Sequence, residues 1–533
     1  MPTVLRSALN TTDETYLSNR KQSEQVLAEL DEQLAAAIAG GGERYQQRHR
    51  DRGRLLVRER IELLLDRAAS FLELSSLAAW GTQFTVGASI VTGIGVVSGV
   101  ECMLIGHDPT VRGGAMNPWS LKKTLRALEI ARINRLPVIN LVESGGADLP
   151  SQSELFVHAG KIFHDLTELS SLAIPTIALV FGNSTAGGAY VPGMCDYAVM
   201  VDQQAKVFLG GPPLVKMATG EESDGEELGG AAMHAKVSGL CDHFAADEYD
   251  CIRIGRQIVS ELNWHKLGPG PTLPADEPIY DPDELLGIAP SDIKIPFDPR
   301  EVIARVVDGS RCGEYKPLWG TSLVTGWASI HGYPVGILAN ARGVLFSEEA
   351  KKASEFIQLA NQTDTPLIFL QNTTGYMVGK TYEQGGIIKD GSKMINSVAN
   401  SKVPHITMNL AASFGAGNYG MSGRAYDPRL MFAWAGSRLA VMGAAQLAGV
   451  MSIVAKQSAA SSGREFDADA DERTRATVEA QIEKESHSFF VTARLYDDGL
   501  IDPRDTRTVL GIALSTAHSN IVAGQRGYGV FRM

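Results

Sequence analysis

LPVINLVESGG, residues 136–146, and TPLIFLQNTTG, residues 365–375, decide how this chain is built. Each is a short apolar run opened by a proline and closed on small and polar residues ending in glycine. That is the pattern of a buried β-strand running into a tight turn. Pro137 and Pro366 lie 229 positions apart, and the same offset relates IPTIAL (174–179) to VPHITM (403–408) and TAGGAY (185–190) to FGAGNY (414–419). Strands share a taste for branched residues, but that alone would not keep one offset across three segments. VTG at 91–93 also recurs at 324–326. The chain reads as a duplication of two similar α/β domains related by pseudosymmetry.

Around these strands the elements alternate. Residues 138–143, 174–182 and 197–201 are expected as strands, and Leu121 to Ile133 as a helix with Leu121, Leu125 and Leu128 on one face. Asp13 to about Ala39 reads as an exposed helix packed through Leu17, Val26, Leu27, Leu30 and Leu34, stopped by Gly40-Gly41-Gly42. After the basic stretch Arg48 to Arg54 a second helix starts near Val57. The proline-rich run 265–284 has the composition of a linker, a second alternation covers Leu323 to about Gly443, and the charged segment Gly463 to Glu485 suits a solvated helix. The division is a helical extension (1–82), a first domain (83–264), a linker (265–295) and a second domain (296–533).

Composition narrows the function. With 44% hydrophobic and 21% charged residues, the chain has the make-up of a globular enzyme. Its net charge of −12 argues against nucleic-acid binding. The five cysteines form no CxxC or zinc spacing, the N-terminus has no secretory apolar core, and no run is long enough to span a bilayer; a cytoplasmic protein is expected, with no metal and no membrane.

The chemistry must come from the turns. In both repeats an apolar strand ends in small residues, Thr185-Ala186-Gly187-Gly188-Ala189 and Phe414-Gly415-Ala416-Gly417-Asn418. If a helix follows, its first N–H groups are free to meet a ligand, and glycine and alanine let it approach. Two such donors aimed at one oxygen form an oxyanion hole. The alternative is a mere packing turn, against which stands the second copy at the equivalent place.

Rival motifs fail. Gly415, Gly417 and Gly420 fit GxGxxG, but no Asp or Glu occurs from Met431 through Val450 to hold a ribose. There is no GxxxxGK[ST], HExxH or GxSxG. Ser144 and Ser184 have no base nearby in sequence, and His158 and His164 suit surface or packing positions. Glu143 could touch substrate or be a salt-bridged structural carboxylate. Lys122 and Lys123 could meet phosphates, but a solvated helix face is the better reading.

Several longer stretches resemble the carboxyltransferase β subunits of biotin-dependent acyl-CoA carboxylases, in the crotonase-like superfamily. They include RHRDRGRLLVRERIELLLD (48–66), NLVESGGADLPSQ (140–152), GNSTAGGAYVPGMCDYAVMV (182–201), ARGVLFSEEAKKASEFIQLAN (341–361) and SFGAGNYGMSGRAYDP (413–428). The resemblance implies two crotonase-like ββα-superhelix domains, an acyl-CoA side in the first half and a biotin side in the second. It implies that the amides of Gly187 and Gly188 hold a thioester enolate and those of Ala416 and Gly417 the ureido oxygen of biotin. Gly145, Gly146, Ala147 and Tyr419 are expected at the acyl-CoA, and Thr374, Gly375 and Tyr376 at biotin. No Met-Lys-Met biotinylation site is present, so biotin is expected on a biotin carboxylase/biotin carboxyl carrier partner. A homohexamer, or a hexamer mixed with a related β subunit, is expected, with sites between halves of different subunits. FLGGPPLVKMATGE (208–221) and NTTGYMVGKTYEQGGIIKDGSKM (372–394) look like the methylcrotonoyl-CoA and geranyl-CoA branch. Long-chain, propionyl- or acetyl-CoA carboxylation, acyl-CoA decarboxylation and a non-catalytic accessory role remain as alternatives.

Overall fold

A computed structural model describes residues 3–533. Each half is built on one large sheet. In the first, Leu72–Leu74, Ile90–Val97 and Val100–His107 run antiparallel; Val138–Ser144, Thr176–Thr185, Tyr197–Val201 and His243–Ala245 then continue in parallel. The second repeats the plan: Arg311–Glu314, Leu323–Ile330 and Tyr333–Asn340 antiparallel, then Leu367–Thr373, His405–Phe414, Leu430–Trp434 and Leu500–Ile501 in parallel. Thr3–Val4 pairs with Arg311–Glu314, so the start of the chain forms the edge of the second sheet.

The repeat extends to irregularities. The ladder slips between Val142 and Ser144 in one half and between Gln371 and Thr373 in the other, positions again 229 apart. Past the slip the strand leaves the sheet and starts a second, small layer: Met116 bridges Ala147, and Val344–Leu345 pairs with Gly375–Tyr376. A sheet strand, an off-sheet strand and a helix thus recur as a unit.

Helix Pro118–Asn134 begins at a capping Asn117, whose side chain accepts from Trp119 N and Ser120 N, with proline in the first turn. Lys123 does not lie on a solvated face: it is buried, its ammonium donating to Ile90 O (2.8 Å) and Gly87 O (3.5 Å). Lys352, 229 positions on, is buried likewise and donates to Leu323 O (2.7 Å) and Gly320 O (3.2 Å). A long apolar stem lets lysine cross the core and close main-chain carbonyls at the far side.

The N-terminal helix spans Glu14–Ala39, capped by Asp13 and ended at Gly40; it packs through Val26, Leu27, Leu30 and Leu34 as expected, with Tyr16 and Ala37 also buried, while Leu17 is exposed. A helix at Glu43–Arg50 precedes Val57–Leu64. The charged segment forms helix Ala468–Ser486, which packs on Ala444–Ser461.

The halves share one core. Its largest cluster joins Val142 and Ala178 of the first sheet to Ile337, Ile368 and Trp434 of the second, with Leu285, Val302 and Leu514 between. An ionic knot adds to it. Fully buried Asp498 accepts from Arg126 Nε (2.8 Å) in the first half and from Arg424 Nη2 (2.8 Å) and Met431 N (2.8 Å) in the second.

Candidate active site

Strands Thr176–Thr185 and His405–Phe414 each deliver the chain into a short helix, Ala186–Ala189 and Gly415–Gly420. The first residue of each takes a left-handed backbone, Ala186 at φ 54° and Gly415 at φ 56°. That reversal sets the next amides at a helix start, where N–H groups have no partner within the helix, and no side chain caps either one. The free donors belong to Gly187 and Gly188 in the first half and to Ala416 and Gly417 in the second.

Their surroundings differ. Gly187 is exposed and Gly188 partly so; a Cβ on Gly188 would lie 3.6 Å from Ser184 Oγ, an ordinary contact. Gly417 is buried, and a Cβ there would stand 2.6 Å from Thr373 Oγ1 and 3.0 Å from Gly375 Cα. Packing alone therefore requires glycine at this position. Ser184 Oγ donates to Gly188 O (2.9 Å) and Ser144 Oγ to Gly114 O (2.8 Å), so both hydroxyls are spent in holding loops.

The off-sheet strands supply a further donor, at a position already expected by resemblance but with a direction the local sequence does not set. Gly145 N donates to Gly113 O (2.9 Å), and Gly146 N to Ser144 Oγ (3.2 Å). Met116 N donates to Gly146 O and Asp148 N to Met116 O, each at 2.8 Å. The N–H of Ala147 therefore faces away from this bridge. Of the three residues expected at the acyl-CoA here, Ala147 is the one with an amide to offer. Gly146 packs against the first turn: a Cβ on it would sit 3.3 Å from Thr185 Oγ1 and 3.9 Å from Ala186 Cβ.

The second half repeats the pattern. Thr374 N is used by Gly343 O (2.6 Å), Gly375 N by Thr373 Oγ1 (3.2 Å), and Met377 N by Leu345 O (2.9 Å), leaving Tyr376 N outside the ladder. The Tyr376 phenol is directed into packing against Met394 Sδ (3.4 Å), where burial raises its pKa, so its main chain is what a ligand can reach.

Beside the second turn lies a cavity of about 660 Å³ lined by Ala416, Tyr419, Val441, Leu447 and Phe490 among others, all from the second half. Tyr419, expected in the acyl pocket, is exposed on this wall. No residue of the first turn lines it.

Glu143 is the salt-bridged structural carboxylate of the two readings. It pairs with Arg54 and with Arg60 Nη1 (2.8 Å), and Arg60 also holds Glu248 through two bonds of 2.8 Å. Burial opposes the charge of Glu143, but Arg60 and Arg54 outweigh it and hold its pKa below the usual range. His158 and His164 are exposed on helix Gln152–Ser171.

The carboxyl transferase domain model matches residues 48–527. The chain belongs to that family. A probable biotin-dependent acyl-coenzyme A carboxylase beta2 subunit of Mycobacterium tuberculosis is 62% identical over 99% of this chain and 100% of its own length. The beta1 subunit of that organism's biotin-dependent 3-methylcrotonyl-coenzyme A carboxylase is 48% identical over 96% of this chain and 97% of its own. Among solved structures, the geranyl-CoA carboxylase beta subunit of P. aeruginosa is 41% identical and superimposes with a TM-score of 0.90, covering 99% of both chains. The chain is thus a β subunit of the biotin-dependent acyl-CoA carboxylase type, a carboxyltransferase with the crotonase-like fold in both halves. No helix among the described residues is long and apolar enough to cross a membrane.

Proposed function

We propose that this β subunit transfers a carboxyl group from carboxybiotin to 3-methylcrotonoyl-CoA. The observation that carries the proposal is the pair of matched donor turns, one in each half, made of main-chain amides rather than acids or bases. Donors fixed in place before charge develops stabilise it without reorganisation. The N–H groups of Ala147, Gly187 and Gly188 receive the thioester oxygen, on which charge collects as the γ-carbon of the acyl group loses its proton. Those of Tyr376, Ala416 and Gly417 receive the ureido oxygen of biotin; the small residues here and the cavity beside Ala416 give a bicyclic group room to enter. When bound, carboxybiotin supplies carbon dioxide and the nitrogen base for that proton, so the chain needs no basic side chain of its own. Tyr419 lines the space for the acyl tail.

A biotin carboxylase/biotin carboxyl carrier subunit brings the cofactor in this reading. Because the cavity at the second turn is walled by one half alone, the opposite wall comes from the first half of another subunit, in a homohexamer or one mixed with a related β subunit. Five unpaired cysteines suit a cytoplasmic location. The methylcrotonoyl assignment draws on the 48% identical relative of that name.

The test is a panel of methylcrotonoyl-, geranyl-, propionyl-, acetyl- and long-chain CoA esters offered to the purified complex with ATP and bicarbonate. Methylcrotonoyl-CoA should give the highest kcat/KM. A higher value for propionyl- or acetyl-CoA would refute the substrate, and failure to carboxylate any ester would refute the activity.

A further inference from the structure

A partly buried arginine beside the second donor strand has no acid to meet it. Strand Arg438–Ala440 pairs with Ala412–Phe414, the last three residues before the second donor turn. Leu439 and Ala440 line the cavity at that turn. Arg438 lines a separate cavity of about 110 Å³, together with Gln22, Ser23, Pro290, Leu410 and His487 among others. Three segments remote in sequence meet here: the N-terminal helix, the linker and the second sheet. At about 30 Å³ for each water, the space admits a group of a few heavy atoms, not a nucleotide or an acyl chain.

The polar groups on this wall are donors without acceptors. Among the described residues the guanidinium of Arg438 makes no ion pair and no hydrogen bond; its main-chain oxygen alone is engaged, accepting from Asn409 Nδ2 (3.3 Å). Glu483, whose charge reaches it, is exposed on helix Ala468–Ser486 and lies beyond ion-pairing distance. An antiparallel bridge sets His487 beside Arg438. His487 Nδ1 accepts from Phe489 N (3.3 Å), which leaves the ring proton on Nε2. Burial, with the charge of Arg438 adding to it, pushes the pKa of His487 down to about 4, so the ring is a neutral donor at neutral pH. The Gln22 amide and the Ser23 hydroxyl have no protein partner among the described residues either. Buried Arg60, Arg126 and Arg305 each hold a carboxylate, as a guanidinium withdrawn from water requires. Burial lowers the pKa of Arg438 with no such partner to offset it.

We infer that this cavity binds a small oxyanion of the phosphate or bicarbonate class, held by Arg438 and His487 of the second half and by Gln22 and Ser23 of the N-terminal helix. A guanidinium offers paired N–H donors to two oxygens at once, and the imidazole, amide and hydroxyl supply donors for the remainder. The anion ties the N-terminal helix to the strand that flanks the second donor turn. It takes no part in carboxyl transfer, so the site stands independently of which acyl-CoA is the substrate.

The experiment uses the assembled carboxylase, dialysed into a zwitterionic buffer. Calorimetry with inorganic phosphate, and separately with bicarbonate, reads binding; hydrogen exchange across residues 14–39 reads its location. In wild type the anion should slow exchange in that helix. Arg438→Met keeps an apolar stem and removes the charge, and it should weaken the anion about tenfold or more and abolish the protection. Gln22→Glu places a carboxylate on the cavity wall, so it should protect the helix without added anion and no longer take phosphate. Arg473→Ala, an exposed arginine of helix Ala468–Ser486 outside the cavity, should behave as wild type. Tighter binding of phosphate identifies a tetrahedral ligand and tighter binding of bicarbonate a planar one; either supports the site. Unchanged binding to Arg438→Met, or Gln22→Glu that still takes either anion, would overturn it, as would absence of helix protection in wild type by both. Should Arg438→Met fail to fold, Gln22→Glu decides alone.

Discussion

At the scale of single residues, glycines that look equivalent in sequence have different duties. Gly188→Val should leave folding intact, because a Cβ there meets Ser184 at an ordinary distance, but should lower kcat about a hundredfold or more by shifting the donor. Gly417→Ala should also lower the unfolding midpoint, because its Cβ would collide with Thr373 and Gly375. Denaturant titration beside single-turnover assays separates the two. The buried lysines give a second contrast. Lys123→Met strips the carbonyl of Ile90 of its donor and should cost about 1–3 kcal/mol of stability, whereas exposed Lys122→Ala should stay within about 0.5 kcal/mol of wild type. Equal effects would mean that the Lys123 hydrogen bonds contribute nothing. The sequence could not tell these neighbours apart: both follow one helix start, and which one faces the core depends on a sheet whose position the local pattern does not carry.

At the scale of elements, strands and turns were legible because their cause is local. The apolar runs at 138, 174 and 197 became Val138–Ser144, Thr176–Thr185 and Tyr197–Val201. Ala147 was named by resemblance, but the direction of its amide was not legible, since it follows from a bridge to Met116 in another loop. Nor was the knot at Asp498, whose partner Arg126 lies on a helix of the other half. Next to it, Asp497 is fully buried, accepting from Thr492 Oγ1 (2.6 Å) and Gly499 N (3.0 Å). Burial, aided by the charge of Asp498, pushes its pKa up to about 7, while Arg126 and Arg424 overcome the burial of Asp498 and hold that carboxyl far down. The folded pKa of Asp497 exceeds the unfolded value of about 3.9. Its contribution is therefore complete below pH ~4 and is lost as pH rises through about 7. Asp497→Asn should flatten the stability profile across that window, read as urea midpoints from mildly acid to neutral pH. An unchanged slope would place the titration elsewhere.

At the scale of the whole molecule, some of the exposed apolar side chains stand on the elements next to the donor turns. Phe156 and Val157, 84% and 79% exposed, lie on the helix before the first turn; Val441 lines the cavity at the second, and Ile453 and Val454 stand exposed on helix Ala444–Ser461. Such a distribution suits surfaces covered in an assembly. Phe156→Glu with Val157→Glu should reduce the oligomer in sedimentation and remove carboxyl transfer together, since the proposed site needs two subunits. An active monomer would disprove the shared site. The duplication was readable from one constant offset, but how the halves meet was not, because packing between repeats leaves no period in a sequence.

That the first residues supply an edge strand to the second sheet, and that a single core lies between the halves, has a consequence for dissecting the protein. Cutting the chain within 265–284 would not yield two autonomous modules. The leading fragment would keep Thr3–Val4, the missing border of its counterpart, and each piece would expose half of a common interior. Made separately, both pieces should aggregate; made together, they should reassociate through that interior and restore the parent enzyme without the peptide bond that joined them.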